Sequence, residues 1–473
     1  MKKTLILILS LIIILCTGCV SLDEETEYAI KDDVYDIYES IRPAWEDAKD
    51  TREMTQVLVD WAQENEITCS RLQTGNIMLS MDATDKYLKA PSTILHCDIS
   101  KDDPVHKAQC AAMALASVKN IKQHGTVKVL FTVSGDRGFY GAKALTEKQL
   151  KADNLISLDY CEKTKLYTGS AASKEYKMVQ KIQTVQTPGN VAYRISISGM
   201  EGGSSSDRTR KHGNPIKALG SFMNSCQSSG MAYQIAGFKG GSSAGEYPQD
   251  AQLIVTVDKN DEERLKGKYE SMENKFENSN RNKENDLNVE FTRCKVPKYS
   301  YSERNTANIM SFLYTIDDGI FTTGIKDEDE EENENDEYEG TVAISNIGYV
   351  RPEGRDVLAM GVKGRAIYPN IFKTMNRAYK KTSELSDFSM KIVSSYPYWP
   401  YTETCELVEA YQIAAQQVDL NFNPSWTFAE NECAIFYEKR PGMDMICLGV
   451  NIQSGPETAK SLAMYLQSLN AEQ

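Results

Sequence analysis

Two histidines and an aspartate lie close together in the stretch Pro91 to Met113, and their side chains are of the types that bind zinc. His96 and Asp98 end an apolar, β-branched run that predicts a short buried strand. In open α/β sheets, the carboxyl ends of such strands line the ligand-binding crevice. His106 follows ten residues after His96, and imidazoles near a carboxylate are common zinc ligands. The alternative is a strand end with ordinary polar residues, because one H-x-D pattern is a weak motif.

The elements around these residues predict an α/β domain. A small-residue helix follows His106, residues 126–134 form a second apolar strand pattern, and residues 155–159 form a third that ends in Asp159. Strands that alternate with helices predict a mixed sheet flanked by helices. The third run is thus another strand that ends in a carboxylate.

The middle of the chain has a different character, which predicts an inserted domain. Strands and two helices suggest a smaller α+β domain, and the α/β pattern returns near residue 388. The predicted organisation is a leader at 1–18, an anchor and linker at 19–31, a first α/β part at 32–189, an inserted domain at 190–387 and a second α/β part at 388–473.

The N-terminus has the pattern of a bacterial export signal. Two lysines precede an apolar run that is too short to span a bilayer. The run ends before Cys19 in a pattern that resembles a lipoprotein signal, with lipid expected on the Cys19 sulfur. A plain secreted protein or an uncleaved anchor is the alternative. The expected location is extracytoplasmic, on a membrane, where disulfides can form. Nine cysteines remain beyond Cys16 and Cys19, so at least one thiol stays unpaired.

The charge of the chain is concentrated in one loop. Net charge is −14, but residues 327–339 hold ten acidic residues and no basic one, which leaves −4 for the rest. A nearly neutral body with one solvated acidic loop does not suggest a nucleic-acid partner. The loop could instead bind cations or a basic partner.

Several strings, in this order and spacing, resemble the aminoacyl-histidine dipeptidases, which include the carnosinases. They are Ile94–Asp98, Lys128–Thr132, Gly138–Ala142, Ser395–Trp399, Glu432-Cys433 and Met443–Met445. The resemblance extends from about residue 35 to residue 469. It implies a metallopeptidase-type catalytic domain with an inserted α+β lid domain. It also implies two zinc ions that share a bridging aspartate, and a glutamate that acts as general base.

Three residues match the family pattern. The resemblance makes His96 and Asp159 ligands of the first metal, and makes Asp98 the residue that orients the His96 ring. Other positions depart from the family. His106 stands in place of the bridging aspartate, and an imidazole nitrogen has a single lone pair in the ring plane, so it cannot bridge two metals.

The remaining departures affect the base and the second metal. Gly135 occupies the position of the general base, Asp136 that of the glutamate ligand and Glu457 that of the final histidine. Asp136 and Glu457 would form only a weak second site, because oxygen ligands alone suit other metals better than zinc. A histidine of the family's lid is replaced by Ser204. The active site is therefore degenerate relative to the family.

Two hypotheses follow from these departures. In one, His96, His106 and Asp159 hold a single zinc ion, at most one per chain, and the protein is an active dipeptidase for Xaa-His or similar peptides. In the other, the fold persists as a catalytically impaired protein that binds a peptide or small ligand. We favour the second, because base, bridge and lid histidine are lost together. The expected partners are a membrane, through lipid on Cys19, a peptide or dipeptide and, as an open alternative, a second copy of the chain.

Overall fold

A computed structural model describes residues 22–133, 138–161, 164–207, 213–280, 286–322 and 340–469. Its helices are α1 (Glu24–Asp47), α2 (Thr51–Glu64), α3 (Pro104–Lys119), α4 (Tyr140–Ala144), α5 (Pro215–Ser228), α6 (Glu262–Asn280), α7 (Glu303–Thr315), α8 (Pro369–Leu385), α9 (Glu406–Gln416), α10 (Glu432–Lys439) and α11 (Gly455–Ser468).

The strands, in chain order, are β1 (Thr68–Arg71), β2 (Ile77–Met81), β3 (Thr93–Ile99), β4 (Val127–Val133), β5 (Asn154–Tyr160), β6 (Lys165–Ser170), β7 (Ala172–Lys181), β8 (Thr184–Gln186), β9 (Val191–Ser198), β10 (Tyr233–Gly241), β11 (Ala251–Val257), β12 (Asn288–Cys294), β13 (Tyr299–Tyr301), β14 (Gly319–Thr322), β15 (Thr341–Pro352), β16 (Val357–Ala366), β17 (Ser389–Tyr396), β18 (Pro424–Thr427) and β19 (Asp444–Val450). The chain divides into two compact units.

The first unit is built on a mixed sheet. It contains the described residues within Met1–Ser170, Trp399–Thr427 and Asn431–Gln473. The strand order is β1-β2-β4-β3-β5-β19-β6-β18. Strand β3 is parallel to β4 and β5, whereas β2 is antiparallel to β4. This confirms the predicted α/β class, with parallel strands at the centre of the sheet.

Alternate residues of β3 face two different apolar cores. Leu95 and Ile99 pack in a core shared with α1, α3 and α11. Ile94 packs in a second core that includes residues of α10. His96 and Asp98 have the same parity as Ile94, so they lie on the α10 side of the sheet. All seven residues of β3 are buried, which makes a histidine and an aspartate on it unusual.

Helix α1 corrects the predicted anchor and linker at 19–31, because residues 24–31 are helical. Asp23 caps the helix by accepting a hydrogen bond of 2.7 Å from the Thr26 N–H. Three glutamates in the first turn complement the helix dipole. An apolar stripe from Ile30 to Trp45 is buried and packs in the core of the first unit.

The second unit contains the described residues within Ala171–Tyr398 together with Phe428–Glu430. Its main sheet has the order β12-β9-β11-β10-β15-β16-β7-β17, with β14 beside β15. The boundaries differ from the predicted 190 and 387. Strands β7 and β17 pair with each other along their length, and β7 also pairs with β16. Both strands therefore belong to this sheet, although the turn near residue 189 suggested a later boundary.

Within the residues that the structure describes, none of the helices is long and apolar enough to cross a membrane. The acidic run at 327–339 lies outside those residues.

Candidate functional site

The site lies where β3 and β5 end side by side. In the parallel register, His96 is opposite Ser157. Asp98 and Asp159 each follow two residues later on the same face of their strand. Their carboxylates therefore lie at the same edge of the sheet. Helix α3 begins shortly after β3 and supplies the side chain that joins them.

His96 is fully engaged by neighbouring hydroxyls. The ring is buried, with 1% of the residue exposed. Nδ1 lies 2.8 Å from Ser157 Oγ, and Nε2 lies 3.0 Å from Thr132 Oγ1. The edge of the Phe436 ring packs against it at a centroid distance of 4.9 Å. Burial lowers the pKa of His96 to about 3, so the imidazole is neutral at physiological pH.

Lys107 joins the two strand ends. Its ammonium lies 2.6 Å from Asp98 Oδ1 and 2.7 Å from Asp159 Oδ1. Burial alone would lower the Lys107 pKa, but the charges of Asp159 and Asp98 outweigh it and raise that pKa well above its ordinary value. Asp159 is the more exposed carboxylate of the two, with 45% of its side chain accessible against 8% for Asp98.

The two carboxylates respond differently to this environment. Burial raises the pKa of Asp98 more than Lys107 lowers it. For Asp159, the charge of Lys107 and a hydrogen bond from the Tyr160 N–H outweigh burial, and its pKa is lowered. Of the two carboxylates, Asp98 is therefore the one that more readily takes up a proton, and Asp159 the one that more strongly keeps its charge.

A third acidic residue, Glu432, lies close to this cluster in the first turn of α10. It is buried, and among the described residues no hydrogen-bond partner reaches its Oε1. Burial, together with the charge of Asp98, raises the Glu432 pKa well above its usual range. Its surroundings therefore favour the protonated, uncharged form of Glu432.

These residues do not fit a zinc site. To bind zinc, carboxylate ligands must be deprotonated and a histidine ligand must offer a free lone pair on a ring nitrogen. Here an ammonium already lies against both carboxylates, and both ring nitrogens of His96 face hydroxyl groups. No three His, Cys, Asp or Glu side chains in the described part of the chain are grouped in a way that could hold a metal.

The structure gives three of the predicted site residues other neighbours than the sequence suggested. His106 does not join His96; its Nδ1 lies 2.8 Å from Asp103 Oδ1, and its ring stacks on Tyr160 at 3.6 Å. It lies on the partly exposed first turn of α3, against the last residue of β5. Asp98 does not orient His96, because it is paired with Lys107. Glu457 begins α11 and belongs to no metal-binding group of described residues.

Three predicted positions lie outside the described residues. They are Gly135 and Asp136, predicted as base position and ligand, and Cys19, predicted to carry lipid. They remain sequence-based predictions.

Sequence reasoning missed Lys107, the two hydroxyls that bind His96, and Glu432 as a site residue. Lys107 could have been found. It lies close to the N-terminus of α3, where a positive charge is unfavourable to the helix dipole unless carboxylates compensate it. The two hydroxyl groups could not have been found from the sequence. Ser157 and Thr132 belong to strands other than β3, and the register between strands is set by tertiary structure.

Comparison with known proteins defines the class to which this fold belongs. The structure superposes on aminoacylhistidine dipeptidase from Vibrio alginolyticus with a TM-score of 0.76, covering 92% of this chain and 96% of that one at 19% identity. Aminopeptidase PepT from Bacillus cereus gives a TM-score of 0.54 at 10% identity, covering 93% and 98%. The chain thus has the α/β fold of these peptidase structures, with mixed sheets flanked by helices.

Comparison of the amino-acid sequence identifies a related dipeptidase. Cytosol non-specific dipeptidase of Escherichia coli (strain K12) is 21% identical over 463 residues, covering 90% of this chain and 92% of that protein. No protein-family model matches the chain. The chain is thus similar in sequence to cytosol non-specific dipeptidase and in fold to aminoacylhistidine dipeptidase, as the resemblance drawn from the sequence predicted.

Proposed function

We propose that this protein is a lipid-anchored, extracytoplasmic peptide-binding protein that has the dipeptidase fold but not its hydrolytic metal centre. The observation that supports this most strongly is the Lys107 ammonium between Asp98 and Asp159. An ammonium and a divalent cation compete for the same carboxylate oxygens. A cation tethered to the chain is present at any metal concentration, so Lys107 disfavours metal binding at this position.

The acid–base groups also support loss of hydrolysis. Cleavage of a peptide bond needs a group that takes a proton from water and later gives one to the leaving amine. Gly135, at the position that the resemblance assigns to this base, has no side chain. Burial and the charge of Asp98 raise the Glu432 pKa, which favours its protonated form over the carboxylate that would have to accept that proton. We infer that the reaction loses its base as well as its metal.

The proposed ligand class is short peptides, and it rests on the homology. The relative from Escherichia coli is a non-specific dipeptidase by name, so we infer that dipeptides of varied composition are the ligands to test first. The experiment measures binding by calorimetry and product formation by chromatography in the same samples. A panel of Xaa-His and unrelated dipeptides is used, with zinc, manganese or cobalt supplied.

The expected result is binding of at least one dipeptide with no product formed. Turnover at about 1 per second or faster, as is typical of ordinary enzymes, would overturn the proposal in favour of the dipeptidase alternative. Absence of both binding and turnover across the panel would contradict the peptide-binding function itself.

Anchoring at the membrane is a separate part of the proposal and has its own test. Labelling of cells with a fatty-acid analogue should give acylated protein in the membrane fraction. Cys19→Ala should abolish the label and release the protein, whereas the neighbouring Cys16→Ala should leave both unchanged. A Cys19→Ala variant that still carries lipid would contradict the anchor.

A further inference from the structure

We propose that Cys433 and Cys447 form a structural disulfide in the exported protein, which ties the first turn of α10 to strand β19. The proposal rests on the extracytoplasmic location proposed above, because such a compartment allows disulfides to persist. It concerns a different pair of residues from the charge cluster, and it can be tested without reference to peptide binding.

The two thiols touch in the folded chain. Cys433 is completely buried and Cys447 is 2% exposed, and both belong to the same apolar core. Their side chains hydrogen-bond each other, which is the largest cause of the raised pKa of Cys447. Cys447 lies between Met445 and Gly449 on the face of β19 that packs towards α10, whereas Ile446 and Leu448 face the other core.

The local topology explains why the two thiols meet. Helix α10 ends at Lys439, and β19 starts at Asp444 after a short turn. Six residues of helix from Cys433 to Lys439 rise about 9 Å. Three residues of strand from Asp444 to Cys447 return by about 10 Å. A helix that packs antiparallel on the strand after it therefore places Cys433 and Cys447 at about the same distance from the turn that joins them.

A low-molecular-weight disulfide such as oxidised glutathione serves as the oxidant of the two thiols. One cysteine thiolate attacks a glutathione sulfur, forming a mixed disulfide and releasing glutathione thiolate. The other thiolate then attacks the protein sulfur of the mixed disulfide, releasing the second glutathione. The protein loses two electrons and two protons, and one glutathione disulfide becomes two thiols. Because burial makes both thiols unreactive in the folded chain, the bond forms during folding, before α10 docks.

The bond would act on the site through α10. That helix carries Glu432, next to Cys433, and Phe436, whose ring packs against His96. A tether at the start of the helix fixes both side chains against the strand ends. The disulfide is thus a positioning device for the site and takes no part in chemistry there.

The experiment refolds the full chain in a glutathione redox buffer, blocks free thiols with an alkylating agent and maps peptides by mass spectrometry. The expected result is a peptide in which Cys433 is linked to Cys447, with Cys226, a buried thiol of the second unit, fully alkylated. The refolded oxidised protein should melt on the order of 5 °C above the same protein after reduction. Cys433→Ala with Cys447→Ala should remove this difference, and Cys226→Ala should retain it.

Two results would overturn the proposal. One is wild-type protein, refolded under oxidising conditions to the native fold, in which both cysteines are alkylated. The other is a linked peptide that joins either cysteine to a different partner. The peptide map of the wild-type protein needs no variant, so it decides the matter even if the double variant fails to fold. Because it is performed in vitro, it also separates a failure of this pair from a failure of the proposed export or peptide binding.

Discussion

The two units each bury a charge cluster, and the clusters have opposite composition. In the first unit, one cation, Lys107, lies between two carboxylates. In the second unit, one carboxylate, Glu430, faces two cations: Lys363 Nζ is 2.7 Å from its Oε1 and an Arg365 nitrogen is 3.4 Å from the same atom. Ser173 also donates to this oxygen at 2.6 Å. Neither cluster leaves its central charge unpaired.

The difference shows which residue each cluster depends on. Removal of the central group leaves two like charges facing each other without a partner, and that costs more than the loss of an exposed ion pair. In the first cluster the central group is the base Lys107, whose charge is retained up to high pH. In the second it is the acid Glu430, whose charge is lost in acid. The two units should therefore respond differently to substitution and to pH.

The largest expected effect is that of Lys107→Met. This change leaves Asp98 and Asp159 without their common cation, and it should lower the free energy of unfolding of the first unit by about 4 kcal/mol. Denaturant unfolding followed by circular dichroism measures it. The control is Lys122→Met, because Lys122 pairs with Asp23 where both side chains are more than half exposed; this change should cost less than about 1 kcal/mol. Equal effects of the two substitutions would contradict the proposed role of Lys107.

Glu430→Gln should have the next largest effect, in the second unit. Burial raises the pKa of Glu430, but Arg365 and Lys363 outweigh it and lower the pKa to about 2. The variant should lose about 3 kcal/mol at neutral pH. Glu353→Gln is the control, because Glu353 pairs with Lys177 at a site where both side chains are about one-third exposed.

The sign of the pH dependence of this cluster follows from the lowered pKa. The stabilisation is complete above the ordinary glutamate value of about 4.5 and is lost as the pH falls towards 2. Wild-type protein should therefore lose stability in this acid range, and Glu430→Gln should lose less. A wild-type unfolding curve that is unchanged between pH 5 and pH 3 would show that Glu430 is not a buried, charged partner.

Between pH 7 and pH 5, His96 should give a smaller effect than Glu430 does at lower pH. Its pKa falls from about 6.5 in the unfolded chain to about 3 in the folded one, so the unfolded chain binds the proton first. Stability should decrease by about 2 kcal/mol between pH 7 and pH 5, where Glu430 stays charged. His96→Asn should flatten this slope, and His106→Asn, at a partly exposed position, should retain it. A slope that persists in His96→Asn would mean that another group is responsible.

The sequence predicted the parts of this fold that depend on local pattern. The apolar, β-branched run that includes His96 and Asp98 predicted a buried strand, and the run that ends at Asp159 predicted another strand ending in a carboxylate. What it could not give was the partner of each side chain. Lys107 reaches both carboxylates only because α3 begins beside the parallel strands β3 and β5, and that arrangement is a property of the assembled sheet.

The predicted domain boundary differs from the observed one for a similar reason. Strand β7 alternates apolar and polar residues in a manner that fits either sheet, so its periodicity does not say which sheet it joins. Its pairing with β16, almost two hundred residues later in the chain, decides the matter. Proximity in sequence to His96 suggested His106 as a ligand, whereas in the structure the start of a helix separates the two residues.

The measurement that tests the central claim most directly is a calorimetric zinc titration of the wild-type protein beside Lys107→Gly at neutral pH. We expect no tight zinc site in the wild-type protein, because the Lys107 ammonium forms ion pairs with Asp98 and Asp159. Removal of that ammonium leaves both carboxylates without their cation, so the variant should bind zinc more tightly than the wild-type protein does, although both ring nitrogens of His96 stay hydrogen-bonded to hydroxyl groups. Stoichiometric, tight zinc binding by the wild-type protein would contradict the claim that Lys107 stands in place of a metal.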